Sequence, residues 1–111
     1  MPITREEQPP ISPMPHLKKK RFSSKVVCTD EGWLLWESAS AGSRVDGYHY
    51  EEKNRTLTLT GENAELFLPD RLAWDDDLPH PLEAAEEERI LHNIAAALQY
   101  LGWKVTFIRG V

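Results

Sequence analysis

The stretch that most constrains this chain is DGYHYEEKNRTLTLT, from Asp46 to Thr60. Two alternating runs flank Lys53 and Asn54, a pair with turn chemistry, so the stretch reads as a β-hairpin. Side chains alternate between faces along a strand. That sends Leu57 and Leu59 one way and Thr56, Thr58 and Thr60 the other. A hairpin of this kind belongs to a sheet with one buried face, and another layer has to cover that face.

The rest of the chain supplies both the sheet and the cover. KVVCT (25–29) is short and β-branched, DEG (30–32) reads as a turn, and WLLWES (33–38) reads as a strand. SASAGS (38–43) is small and polar and reads as a loop, while AELFLP (64–69) is a further candidate strand stopped by Pro69. Ile90, Ile94, Ala97, Leu98 and Leu101 then recur at helical spacing and form one apolar face. Pro79 and Pro81 stand where proline suits a helix entry, and Gly102 stands where a left-handed cap is usual. WKVTFI (103–108) reads as a last strand. The order β-β-β-β-(β)-α-β predicts an α+β fold: a mainly antiparallel sheet of five to six strands with one C-terminal helix packed on one face.

A chain of 111 residues fits one domain with one core. Residues 1–24 stand apart from it. Five prolines fall in the first 15 residues and the basic run KKKRF (18–22) follows, so this segment reads as an extended, mobile, basic tail ahead of a domain over 25–111. Four basic residues without interleaved aromatics are a weak nucleic-acid signal, and a solvated tail before an edge strand explains them more simply. No apolar run is long enough to span a membrane, and the start MPITREEQPPISPMP has no apolar signal core. The single cysteine, Cys28, makes no internal disulfide. These features point to the cytoplasm.

Net charge conceals an asymmetry. Residues 1–25 sum to +4 and the remainder to −9. An acidic domain repels nucleic acid and anionic membrane and attracts basic proteins. Acids concentrate from Asp75 to Glu88, where Asp75, Asp76, Asp77, Glu83, Glu86, Glu87 and Glu88 occur without Lys or Arg. A helix start accounts for part of this, because its free N–H groups and dipole favour glutamate in the first turn. At 100° per residue Glu83 and Glu87 lie on the side of Ile90 and Ile94. The first turns are therefore expected to overhang the sheet, with these glutamates at its rim near Asp75–Asp77.

Rival chemistry is poorly supported. Adjacent aspartates do not easily turn toward one ion, and the alternating acids and glycine of a calcium loop are missing, so no metal or cofactor is expected. No nucleophile elbow, HExxH, CxxC, P-loop or GxGxxG occurs. Cys28 lies in a strand, where a buried structural thiol is the simpler reading. His16, His49, His80 and His92 are scattered, with His92 on the outer side of the helix. No catalytic constellation emerges. Trp33 and Trp36 face opposite sides of their strand, one in the core and the other covering the far face or meeting a partner. Trp103 reads as core. Trp74 either pins its loop to the domain or anchors a basic protein.

The succession YEEKNRTLTLTGE, LFLPDRLAWDDDLPHPL and EEERILHNIAAALQYLGWKVTF resembles small immunity proteins of bacterial polymorphic toxin and contact-dependent growth inhibition systems, nearest the immunity protein 74 family. The resemblance spans about residues 26–109. It rests on the hairpin ending near Glu62, on Trp74 with Pro79 or Pro81, on a helix with Ile90, Asn93, Ile94 and Leu98, and on Gly102. It implies a cytoplasmic protein without catalytic residues that binds a cognate toxin domain and blocks it. Many such toxins are nucleases, which need basic clefts, so Trp74, Asp75, Asp76, Asp77, Glu86, Glu87 and Glu88 are the expected contact. Two alternatives stand beside this: a small metal-dependent hydrolase using the acidic cluster, and a nucleic-acid-binding accessory domain using the basic tail.

Overall fold

A computed structural model describes residues 3–11, 17–19, 26–28, 31–39 and 46–110. The chain is α+β. Six strands form the sheet that the sequence led us to expect: β3 (Val26–Cys28), β4 (Trp33–Ala39), β5 (Asp46–Glu52), β6 (Arg55–Glu62), β7 (Glu65–Leu68) and β8 (Thr106–Arg109). One helix, α1 (Ala84–Tyr100), lies between β7 and β8. The N-terminal segment adds two short strands, β1 (Thr4–Glu7) and β2 (Leu17–Lys19). The full order is β1-β8-β7-β6-β5-β4-β3-β2. All pairs are antiparallel except β7 and β8, which the helical crossover makes parallel.

The segment expected as a mobile tail thus supplies both edge strands. β1 pairs with β8 from Thr4↔Arg109 to Glu7↔Thr106. Beyond it the Gln99 side-chain amide holds the backbone at two points, accepting from Ile11 N–H at 2.8 Å and donating to the Pro9 carbonyl at 2.9 Å. Glu7 meets Lys104 at 2.6 Å and Arg5 pairs with Glu65. Backbone polar groups left over at a sheet edge explain why a proline-poor piece such as TREE is captured there. Lys20, Arg21, the loop over 40–45 and the Cys28 thiol lie outside the described residues.

Both tight hairpins follow from local chemistry. Lys53 and Asn54 have φ of 51° and 62°, and Asn63 and Ala64 have φ of 52° and 62°. Two consecutive left-handed residues make the turn whose twist matches that of the strands. Ala64 has no special tolerance for this conformation. It is held there by its N–H donating to Tyr48 Oη at 3.1 Å and its carbonyl accepting from Thr106 N–H at 3.1 Å.

One face of the sheet is covered by α1. Trp33, Leu35, Tyr50, Leu57 and Leu66 meet Ile90, Ile94, Ala97 and Leu98 there, all at most 2% exposed. Leu57 and Leu59 are inside, and Thr58 and Thr60 outside, as alternation predicts. The buried trio Ala95, Ala96 and Ala97 presents little bulk where the helix is enclosed on several sides. At its C-terminus, Gly102 (φ 93°) donates to the Gln99 carbonyl and Trp103 N–H donates to the Leu98 carbonyl. This is a Schellman cap. It also corrects one expectation: Trp103 belongs to the cap rather than the last strand and is 45% exposed. Among the described residues no helix is long and apolar enough to cross a membrane.

Candidate protein-binding site

The end of the sheet beneath the first turns of α1 holds a connected, largely buried polar network. Inward parity along β5 runs Tyr48, Tyr50, Glu52, so a carboxylate is carried onto the buried face. Glu52 is only 6% exposed. A buried carboxylate must be paired, and α1 answers with Arg89, whose two guanidinium nitrogens donate to Oε1 at 2.6 Å and Oε2 at 2.8 Å. Tyr50 Oη donates to Glu52 Oε1 at 2.9 Å, and buried Asn93 donates to Tyr50 Oη at 3.1 Å. Hydrogen bonding from Arg89 holds the Glu52 carboxyl below the usual range in spite of its burial. Burial is the main cause that pushes the Tyr50 phenol up, so Tyr50 serves as a neutral donor. Glu52 in turn raises the Arg89 guanidinium.

Two clefts open on either side of Arg89. One, of about 850 Å³, is lined by Glu31, Glu52, Lys53, Ala85, Glu88, Arg89, His92 and Asn93. The other, of about 540 Å³, is lined by Glu52, Lys53, Arg55, Trp74, Glu83, Ala85, Glu86 and Arg89. Ala85 stands between them, and its small side chain keeps the helix shoulder low. The half-exposed Arg89 guanidinium is already committed to Glu52. The remaining carboxylates on this rim outnumber Lys53 and Arg55.

The structure divides the residues that the sequence grouped together. Trp74 is not an exposed anchor. It is 5% exposed, stacks on Tyr50 at 6.4 Å and carries Arg55 over its ring at 5.2 Å. A ring of that apolar area gains more from the core than from solvent. Asp75 is bound to the sheet: its Oδ1 accepts from Thr58 N–H at 3.1 Å and its Oδ2 from Thr58 Oγ1 at 2.7 Å. Glu87 reaches Arg109 of β8 at 3.5 Å, on the far side of the helix from the aspartates. Ile90 is the first buried residue of the helix. Of the two glutamates expected at the rim near the aspartates, Glu83 lines the cleft beside Arg55 and Trp74, together with Glu86, while Glu87 does not.

Asp76 and Asp77 share a single cation, Arg55, at 3.1 and 3.8 Å, and His80 Nδ1 donates to Asp77 at 2.6 Å. Among the described residues no cation pairs with Glu83, Glu86 or Glu88. His92 is exposed on the outer helix face, as its position in the helix predicts. Trp33 is core at 1% exposure, while Trp36 stacks on His49 on the opposite face of the sheet. Among the described residues no group of three His, Cys, Asp or Glu side chains is placed to hold a metal ion.

Sequence reasoning missed the Tyr50–Glu52–Arg89–Asn93 network. The signal was present. Glu52 continues the inward parity of Tyr48 and Tyr50, and Asn93 sits on the helix stripe between Ile90 and Ile94. Two polar residues on apolar faces imply a buried partnership.

The fold and rim define a helix-on-mixed-sheet domain with an acidic, grooved end. No protein-family model, no curated protein and no solved structure matches the chain.

Proposed function

We propose that this chain is an inhibitory binding protein that captures a basic protein domain at the grooved end of the sheet, by contact alone and without chemistry at that end. The observation that carries this reading is the set of unneutralised carboxylates on a rigid rim. Among the described residues, Glu83, Glu86 and Glu88 project from the start of α1 without a cation, and Asp76 and Asp77 share Arg55. Charges carried on a helix and a hydrogen-bonded loop need no backbone reordering on association, so they favour fast, salt-dependent capture of a cationic surface. The contact set is therefore Asp76, Asp77, Glu83, Glu86 and Glu88. Trp74, Asp75 and Glu87 shape it from behind.

The resemblance to immunity proteins supplies the biological reading: a cytoplasmic protein that blocks a cognate toxin domain, with a nuclease as the partner whose basic cleft fits best. The test is a pull-down from native cells at low and moderate salt, with the wild type and a variant carrying Asp76→Asn, Asp77→Asn, Glu83→Gln, Glu86→Gln and Glu88→Gln. One basic polypeptide retained in near-equal amount by the wild type and lost from the variant is the expected result. Equal retention by a correctly folded variant, with unchanged salt dependence, overturns the reading.

A further inference from the structure

The face of the sheet away from α1 carries a second polar constellation. Trp36, His49 and Thr58 are cross-strand partners in one row over β4, β5 and β6. β7 pairs only with the far end of β6, so the near end is free, and Asp75 occupies it, its N–H donating to the Thr56 carbonyl at 2.8 Å. Four side chains then join in a continuous chain. Ser38 Oγ lies 2.7 Å from His49 Nε2, His49 Nδ1 lies 3.2 Å from Thr58 Oγ1, and Thr58 Oγ1 donates to Asp75 Oδ2 at 2.7 Å.

The carboxylate fixes the proton positions along this chain. Asp75 only accepts, so the Thr58 hydroxyl spends its one proton on it. Thr58 Oγ1 must then accept from His49 Nδ1–H. In the neutral ring this leaves the Nε2 lone pair facing Ser38, whose hydroxyl donates to it. The ring is held in plane by Trp36, stacked at 5.0 Å and 22°. Gly47 supplies an independent observation. A Cβ at this position would lie 2.9 Å from Ser38 Oγ and 3.1 Å from His49 Nε2, so a side chain here would displace the bonded pair. A serine hydroxyl on a base whose tautomer is set by a distant carboxylate is the arrangement that activates an oxygen nucleophile.

We propose that Ser38 is a nucleophile toward activated acyl esters and thioesters, with His49 as general base and Thr58 and Asp75 as positioning residues. Ser38 Oγ attacks the carbonyl carbon while its proton passes to His49 Nε2. The bond to the leaving group breaks, the leaving group takes that proton, and the acyl group stays on Ser38 Oγ. Water, deprotonated by His49, then attacks the acyl carbon. The carboxylic acid departs and the serine hydroxyl is restored. No redox partner is needed. Asp75 borders the acidic rim, but Ser38 and His49 are not rim residues, so variants at those two positions test this proposal separately from the binding reading.

The test uses the full chain with p-nitrophenyl acetate, following nitrophenol release and locating the acetyl group by peptide mass spectrometry. The expected result is acetylation at Ser38, absent in Ser38→Ala. General-base assistance is worth about 10²–10⁴ in rate, so His49→Ala should slow labelling at least about 100-fold, with free imidazole restoring part of it. Thr58→Val should slow it while Thr58→Ser keeps the wild-type rate, a contrast that a purely structural threonine would not give. Gly47→Ala should also slow it. Acetyl groups found only on lysines, or a Ser38 rate matched by the urea-unfolded chain, overturn the proposal. Equal rates for Thr58→Val and the wild type overturn the role of Thr58 and Asp75.

Discussion

Arg89→Met isolates the cost of leaving Glu52 without its cation. Methionine keeps the aliphatic reach along the helix and removes both donors. Glu52 would retain only the Tyr50 hydroxyl while 6% exposed. Breaking a fully buried pair costs about 3–5 kcal/mol. The Arg89 side chain is 49% exposed, so solvent screens part of this, and about 2–3 kcal/mol is expected here. For a domain of this size that lowers Tm by roughly 10 °C. The sign with pH is fixed by the Glu52 shift. In the wild type its folded pKa lies below the unfolded value, so the contribution is present above about pH 4.3 and is lost as pH falls through the folded pKa. In Arg89→Met burial dominates instead and raises that pKa, so acid protonates Glu52 and relieves the variant. Urea denaturation at pH 7 and pH 4 measures both values. The loss should be smaller at pH 4, and the double variant Glu52→Gln/Arg89→Met should recover most of it at pH 7. A loss below about 1 kcal/mol at pH 7, or one of equal size at both pH values, would refute the assignment of Glu52 as a buried charge held by Arg89.

Three further outcomes follow from the same geometry. Trp74→Ala should destabilise the fold by about 3–5 kcal/mol in urea denaturation, since its ring packs on Tyr50 and under Arg55, whereas Asp76→Asn with Asp77→Asn should stay within about 1 kcal/mol of the wild type. Gln99→Ala removes both clasps on the N-terminal strand, about 1 kcal/mol each, and should speed hydrogen exchange at Ile11 with little change in the core of α1; unchanged exchange there would show the clasp to be idle. Gly102→Ala forces a Cβ into a left-handed cap with open space around it, so its cost is conformational, about 1–2 kcal/mol, and Gly102→Asn should cost less.

Much of the fold was legible because it depends on short-range signals. Alternation placed β5 and β6 almost residue for residue, helical spacing placed the buried side of α1, and Gly102 marked its cap. The misplaced elements depend on distant partners. TREE has no apolar pattern, and nothing within residues 1–24 shows that Arg109 to Thr106 offers an unfilled strand edge or that Gln99 will hold Pro9 and Ile11. The sequence likewise showed Trp74 beside three aspartates but not that its ring lies against Tyr50, 24 positions earlier.

The acidic stretch shows the same limit at the level of function. Seven carboxylates in one run look alike as letters, yet the fold gives them different surroundings. Asp75 closes a sheet edge, Glu87 crosses to β8, and Asp76 and Asp77 divide one arginine, while Glu83, Glu86 and Glu88 keep their charge for solvent or for a partner. A charge count therefore overstates the field by the acids already spent inside the molecule. Surface carboxylates paired in this way contribute little to attraction at a distance, because the potential of each pair falls off as a dipole within the screening length. Among the described residues of this run, Glu83, Glu86 and Glu88 have no cation and stand together at the start of α1, where its free N–H groups also gather. That positive helix end steadies the glutamates without neutralising them outward. Amidating Glu83, Glu86 and Glu88 should thus reduce the salt dependence of partner capture far more, per charge removed, than amidating Glu87, whose charge Arg109 already answers. Equal effects per charge on association rate would mean that net charge alone, and not this arrangement, governs the encounter.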